Sequence, residues 1–203
     1  MGKIFIIMGK SATGKDTIYK SLLERSDLGL NTVVMYTTRP IRMGETEGVE
    51  YHFVDEKTLE ELEAKKKVIE HRYYHTIQGV WHYFTVNDGQ IDLEKNNYLM
   101  IGTLETYEQI REYFGSEKIE PIYLEAEDDV RLLRSIKREQ KQEQPKYAEI
   151  CRRYLADEED FSEENLQKAG ITKRYHNIDI EECLDRVIRD IKSFAVNKSH
   201  PMI

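Results

Sequence analysis

Residues 4–17 read Ile4-Phe5-Ile6-Ile7-Met8-Gly9-Lys10-Ser11-Ala12-Thr13-Gly14-Lys15-Asp16-Thr17. The run from Ile4 to Met8 is short, rich in Ile, apolar on both faces and closed by a glycine, so it reads as a buried central strand of a parallel sheet. Beyond it, Ile18, Leu22 and Leu23 recur at helical spacing, which predicts a first helix over 15–25. Gly9, Gly14 and Lys15 stand between strand and helix at the G-x4-G-K spacing of a phosphate-binding loop. The glycines let backbone N–H groups turn toward phosphate oxygens, the helix N-terminus adds positive potential, and Lys15 supplies a full charge. Gly9, Ser11, Ala12, Thr13, Gly14 and Lys15 are therefore candidate contacts for a triphosphate. In this pattern a Ser or Thr hydroxyl after the lysine binds Mg²⁺. Here Asp16 follows, with Thr17 next. Asp16 either carries the metal through its carboxylate, directly or through water, or repels the phosphates; Asp16 and Thr17 are both candidate metal positions.

Outward from this loop, 31–35 reads as a second strand. Residues 37–48 hold Arg39, Pro40, Arg42, Gly44 and Gly48, a loop carrying two guanidinium groups. A strand-like run at 51–54, a charged helix over 55–67, and β-prone runs at 68–74 and 81–86 joined at Gln78-Gly79 as a hairpin make 37–86 a small mixed subdomain. The βα pattern resumes with strands at 98–101 and 120–124 and helices over 103–114 and from 128 to about 137. The polar stretch 138–144, closed by Pro145, predicts a mobile loop. A helix follows from 146 to about 161, with Ile150 and Leu155 as its apolar marks. A marginal strand at 175–178, a closing helix over 180–194 and a frayed tail at 196–203 complete the chain. Strands alternating with helices imply one three-layer α/β domain around a central parallel sheet: a core of 1–36, 87–130 and 165–195, the insertion 37–86, and a helical segment at about 131–160.

The totals narrow the function classes. Hydrophobic residues make up 39% of 203, enough for a real core, and charged residues 33%. A net charge of −8 argues against a general nucleic-acid binder, which needs an excess of Lys and Arg facing phosphates. Cys151 and Cys183 stand apart from any CxxC or His cluster and read as reduced thiols. The apolar run 4–8 is far too short to span a membrane and lacks a cleavage site, so the expected location is cytoplasmic.

Tyr36-Thr37-Thr38-Arg39-Pro40-Ile41-Arg42-Met43-Gly44-Glu45 is similar to the S-x-T-T-R-x-P-R-x-G-E segment of the guanylate kinase family. Gly48, Tyr51-His52-Phe53 and Val68-Ile69-Glu70 extend the resemblance at matching spacings. It implies the P-loop nucleoside monophosphate kinase fold, with the 37–86 insertion binding the acceptor and 131–160 as a helical lid. It also implies transfer of the ATP γ-phosphoryl group to GMP, with Mg²⁺ as cofactor and nucleotides as partners. Arg39, Arg42 and Tyr51 would hold the acceptor's phosphate and Glu70 would take the base edge; guanidinium forks suit phosphate, and a carboxylate accepts from guanine N1 and N2. Arg134, Arg138 and Arg152-Arg153 resemble the lid arginines that close over the phosphates, and Asn177 sits where the family has an Asn, beside the adenine.

The chain departs from the family pattern at four places. Asp16 is one. Met35 stands where the family has a Ser touching the guanine oxygen. Trp81-His82-Tyr83-Phe84-Thr85 replaces Y-Y-G-[ST], leaving His82 or Tyr83 as the expected replacement phosphate ligands. Leu99-Met100-Ile101-Gly102 replaces a strand carrying D-x-D. These changes leave two alternatives beside GMP phosphorylation: another purine or modified monophosphate as acceptor, or a non-catalytic binding module.

Overall fold

The computed structural model describes residues 1–76 and 79–196. Strand β1 (Ile4–Met8) is the middle of a five-stranded sheet ordered β2-β7-β1-β8-β9, where β2 is Leu30–Thr32, β7 Asn97–Ile101, β8 Ile119–Glu125 and β9 Arg174–His176. Every neighbouring pair runs parallel. A parallel sheet is covered on both faces, and the alternation of β1 supplies both cores. Ile4, Ile6 and Met8 pack with Met100, Ile110 and Leu166 on one side, and Phe5 and Ile7 with Ile18, Leu22 and Val187 on the other. Helices α1 (Lys15–Leu23) and α7 (Ile180–Val196) cover the second face, and α3 (Leu104–Phe114) and α6 (Glu163–Lys168) the first. Helix α3 starts at Thr103, whose hydroxyl and that of Thr106 cap each other's backbone.

The expected strand at 31–35 is shorter and lies earlier. Val34 donates its backbone N–H to Gln90 Oε1 and accepts from Gln90 Nε2 at its carbonyl instead of joining a ladder, and the chain leaves the sheet there. It re-pairs as β3 (Tyr36–Thr37) in a second, mixed sheet ordered β4-β3-β6-β5, with β4 His52–Phe53, β5 Val68–Thr76 and β6 Gly79–Val86. Leu59 of α2 (Glu56–Ala64), Phe84 and Val86 form the small core beneath it. Thr76 pairs with Gly79 across the hairpin; Gln78 of the expected turn and 197–203 of the expected tail lie outside the described residues.

The stretch taken as a mobile loop from Arg138 is helical at its start, since α4 runs Asp128–Glu139. Helix α5 (Tyr147–Asp160) contains no buried residue, and Leu155, an expected apolar mark, is exposed. Polar contacts therefore dock α5. Helix α6 went unanticipated because its single buried residue, Leu166, leaves no period to detect.

Candidate active site

The loop between β1 and α1 sits at the carboxyl ends of the parallel strands, where open α/β sheets bind ligands. Its glycines are required by shape. A Cβ on Gly9 (φ 145°) would lie 2.3 Å from the Leu124 carbonyl, and one on Gly14 (φ 96°) 2.3 Å from Asn177 Nδ2. Asn177 is buried under the loop, donating to the Thr13 carbonyl at 2.7 Å while its own N–H reaches the Glu125 carbonyl at 2.7 Å. Lys15 folds back on its loop, donating to the carbonyls of Gly9 (2.6 Å) and Lys10 (2.9 Å). Burial lowers the pKa of its ammonium, against the pull of Asp157 and Asp16.

Helix α5 meets this loop through acids. Asp157 accepts from the Ser11 backbone N–H at 2.7 Å, and Glu158 from Lys10 at 2.6 Å. Between them lies Arg131, only 2% exposed, bonded to Asp128, Asp157, Glu158 and the Ser11 carbonyl. No sequence signal separates Arg131 from Arg134 and Arg138 on the same helix, and it escaped the sequence reading. Arg134 donates to the Ala12 carbonyl at 3.3 Å. Arg138 and Arg153 line a cavity of about 120 Å³ between α4, α5 and Ser11, with Arg153 also paired to Glu149.

A larger cleft of about 520 Å³ runs from Gly9, Lys15 and Asp16 to the second sheet, where Met35, Tyr51 and Tyr83 line it. Behind Tyr51, Arg39 is buried and held bidentately by Glu45 (2.6 and 2.7 Å), with its guanidinium 5.0 Å from the Tyr51 ring. The Arg39 hydrogen bond holds the Glu45 carboxyl down at about 2. Arg42 is exposed, over the Trp81 ring at 5.8 Å.

Three expected contacts fall differently. His82 faces away from the cleft, with Nδ1 2.7 Å from His71 Nε2, because strand alternation turns residues 82 and 84 to the opposite side from Tyr83 and Thr85. Glu70 is 1% exposed and covered by Thr85, which donates to Oε1 at 3.0 Å, and by Arg72, which donates to Oε2 at 3.0 Å. Thr85 thus places a hydroxyl beside the acid. Thr17 is exposed and absent from the cleft wall, which leaves Asp16 there. At Gly102, where the family pattern carries the second strand acid, a Cβ would lie 3.0 Å from side-chain carbons of Ile6 and Thr106.

Among the described residues no cluster of three or more His, Cys, Asp or Glu side chains is assembled to hold a metal. Mg²⁺ commonly binds through one or two carboxylates plus substrate phosphates, and Asp16, in the cleft beside Lys15, fits that donor set.

A family model described as Guanylate kinase matches residues 1–164. The chain belongs to the guanylate kinase family. Among curated relatives of that name, the Neisseria gonorrhoeae protein is 46% identical over 70 residues, 34% of either chain. The Thermus thermophilus protein is 40% identical over 73 residues, 36% of this chain and 32% of the relative. Each match therefore spans about a third of the relative's length. The crystal structure of guanylate kinase from Anaplasma phagocytophilum superposes with a TM-score of 0.67 at 20% identity, covering 95% of this chain and 85% of that one, and so shares the fold. No helix among the described residues is long and apolar enough to cross a membrane.

Proposed function

We propose that this member of the guanylate kinase family is a cytoplasmic nucleoside monophosphate kinase that transfers the γ-phosphoryl group of ATP to GMP, releasing ADP and GDP. The observation that carries this reading is the single cleft whose one end is the Lys15 loop and whose other is the Tyr51–Tyr83 wall beside Arg39. Two phosphate-seeking ends of one cavity suit a donor and an acceptor brought tail to tail.

In this reading the acceptor's phosphate oxygen attacks the γ-phosphorus in line as the bond to the ADP oxygen breaks. Such a transfer needs positioning and charge neutralisation more than covalent chemistry. Lys15 would leave its loop carbonyls for the phosphates, and the Gly9–Gly14 N–H groups would cradle them. Arg138 and Arg153 would lie over the transferred group and exclude water. Arg39, Arg42 and Tyr51 would fix the acceptor phosphate, with Tyr83 rather than His82 as the second aromatic hydroxyl. Asn177 holds the loop from below and would border the adenine. Bound Mg²⁺, carried by Asp16 and the phosphates, would offset charge on the β and γ oxygens.

The Lys15 loop weighs against a non-catalytic module, which has no use for that lysine. The test is transfer from ATP–Mg²⁺ to GMP, with AMP, dGMP, CMP, UMP and IMP run beside it. Turnover on GMP above the pyrimidine nucleotides supports the proposal; nucleotide binding with no turnover on any acceptor ends it.

A further inference from the structure

Strand β5 turns Glu70 and Arg72 toward the same side, opposite Thr85 and Tyr83 of β6. The cleft wall includes Arg72 with Met35, Tyr51, Tyr74 and Tyr83, and does not include Glu70. Arg72 is itself only 7% exposed. Its Nε is spent on Glu70, and its Nη2 has only the thioether sulfur of Met35, at 3.6 Å, a weak acceptor. Among the described residues its Nη1 has no hydrogen-bond partner. The unpaired Nη1 is not sealed in the core but opens to the cleft, where a ligand acceptor can pair with a charged donor already held in place. A buried ion pair is also seldom the most stable filling for its volume. The place where acceptors are missing is the cleft.

We propose that Arg72, not Glu70, is the residue that reads the acceptor base, donating from its guanidinium edge to the adjacent O6 and N7 of a 6-oxopurine monophosphate, with Glu70 as its positioning residue. This deepens the kinase reading above and rests on it. A guanidinium is the side chain that pairs bidentately with O6 and N7. Adenine puts an amino donor in place of O6, against the charge. Glu70 locks the guanidinium plane through Nε, and Thr85 locks Glu70. Tyr51, whose ring faces Arg39 on one side and the cleft on the other, links the base end to the phosphate end. Met35 and the missing strand acids then fit a pocket whose polarity comes from one donor fork.

The consequence separates two readers. A carboxylate reading N1 and N2 favours GMP over IMP, which lacks the 2-amino group; a fork reading O6 and N7 treats them alike. Binding of GMP, IMP and AMP to the full chain by calorimetry, with transfer rates from ATP–Mg²⁺ in parallel, tests this. The expected result is IMP within about threefold of GMP, and AMP roughly ten- to hundredfold weaker. Arg72→Lys keeps the pair with Glu70 and the fold, followed by circular dichroism, but should cut the GMP-over-AMP ratio about tenfold. Glu70→Gln should weaken GMP and IMP together and leave their ratio unmoved, which a direct reader would not. A wild-type preference for GMP over IMP beyond tenfold that collapses in Glu70→Gln, with the Arg72→Lys selectivity intact, overturns the inference. Binding with that selectivity but no transfer would remove the kinase reading alone; binding of none of the three removes both.

Discussion

Asp157→Asn should make the protein bind ATP more tightly. The Asp157 carboxylate takes the Ser11 N–H at 2.7 Å, on a loop whose N–H groups serve phosphate oxygens in the proposed complex, so nucleotide must evict it. A hydrogen bond to a charged group contributes about 1.5–3 kcal/mol and a neutral one about 0.5–1.5 kcal/mol. The asparagine keeps the shape and surrenders a difference of about 1 to 1.5 kcal/mol, which is about five- to fifteenfold in affinity. Removing a negative charge from beside the triphosphate acts in the same direction. Glu158 keeps its bonds to Arg131 at 2.9 Å and Lys10 at 2.6 Å, so α5 stays docked. Calorimetric titration with a non-hydrolysable ATP analogue measures the change, with Glu159→Gln, an exposed neighbour on the same helix, as the control that should not move. Unchanged or weaker binding by Asp157→Asn would refute the competition and assign Asp157 to the nucleotide-bound state instead.

Other outcomes follow from single contacts. Gly14→Ala puts a methyl 2.3 Å from Asn177 Nδ2 at a positive φ, and should cost about 1–3 kcal/mol of stability together with nucleotide affinity, read by thermal melts with and without ATP. Phe84→Ala, at a fully buried position, should destabilise the small sheet by about 3–5 kcal/mol in urea unfolding while β1 and its neighbours stay protected in hydrogen exchange. Because the Arg39 pair holds the Glu45 carboxyl near 2 rather than at its usual value, its contribution is complete above about pH 4.5 and fades only as pH falls through about 2. Carbon-detected NMR of the Glu45 carboxyl should therefore show no midpoint near 4.5, and Arg39→Lys should restore one toward it.

The fold was legible because its signals are local. Ile4–Met8, the glycine spacing and Ile18/Leu22 each report on a few neighbouring residues, and they settle strand, loop and helix. The period-2 pattern of β5 and β6 is also present in the sequence, and it places His82 on the opposite side from Tyr83. What stayed hidden depends on contacts between distant segments. Ser11 and Asp157 meet across 146 positions of sequence, and Arg131 gains Asp157 and Glu158 only when α5 lies on α4. Nothing about Asp157 marks it before the helices dock.

The departures from the family pattern divide along the same line. The phosphate end asks for backbone shape: a methyl on Gly9 or Gly14, both at positive φ, would meet another atom at 2.3 Å, and the glycines and Lys15 keep the pattern there while Asp16 departs from it. The base end asks only that donors and acceptors balance, and several side chains can provide that. On the inference above, Glu70 serves as the counter-charge of Arg72, Met35 fills space beside it, and the missing strand acids would have no base contact to make. Arg72, Met35 and Gly102 line one cleft and, on the same inference, set its polarity together. On that inference Met35→Ser should gain little GMP affinity, because Arg72 would donate more strongly to the oxygen the serine would touch.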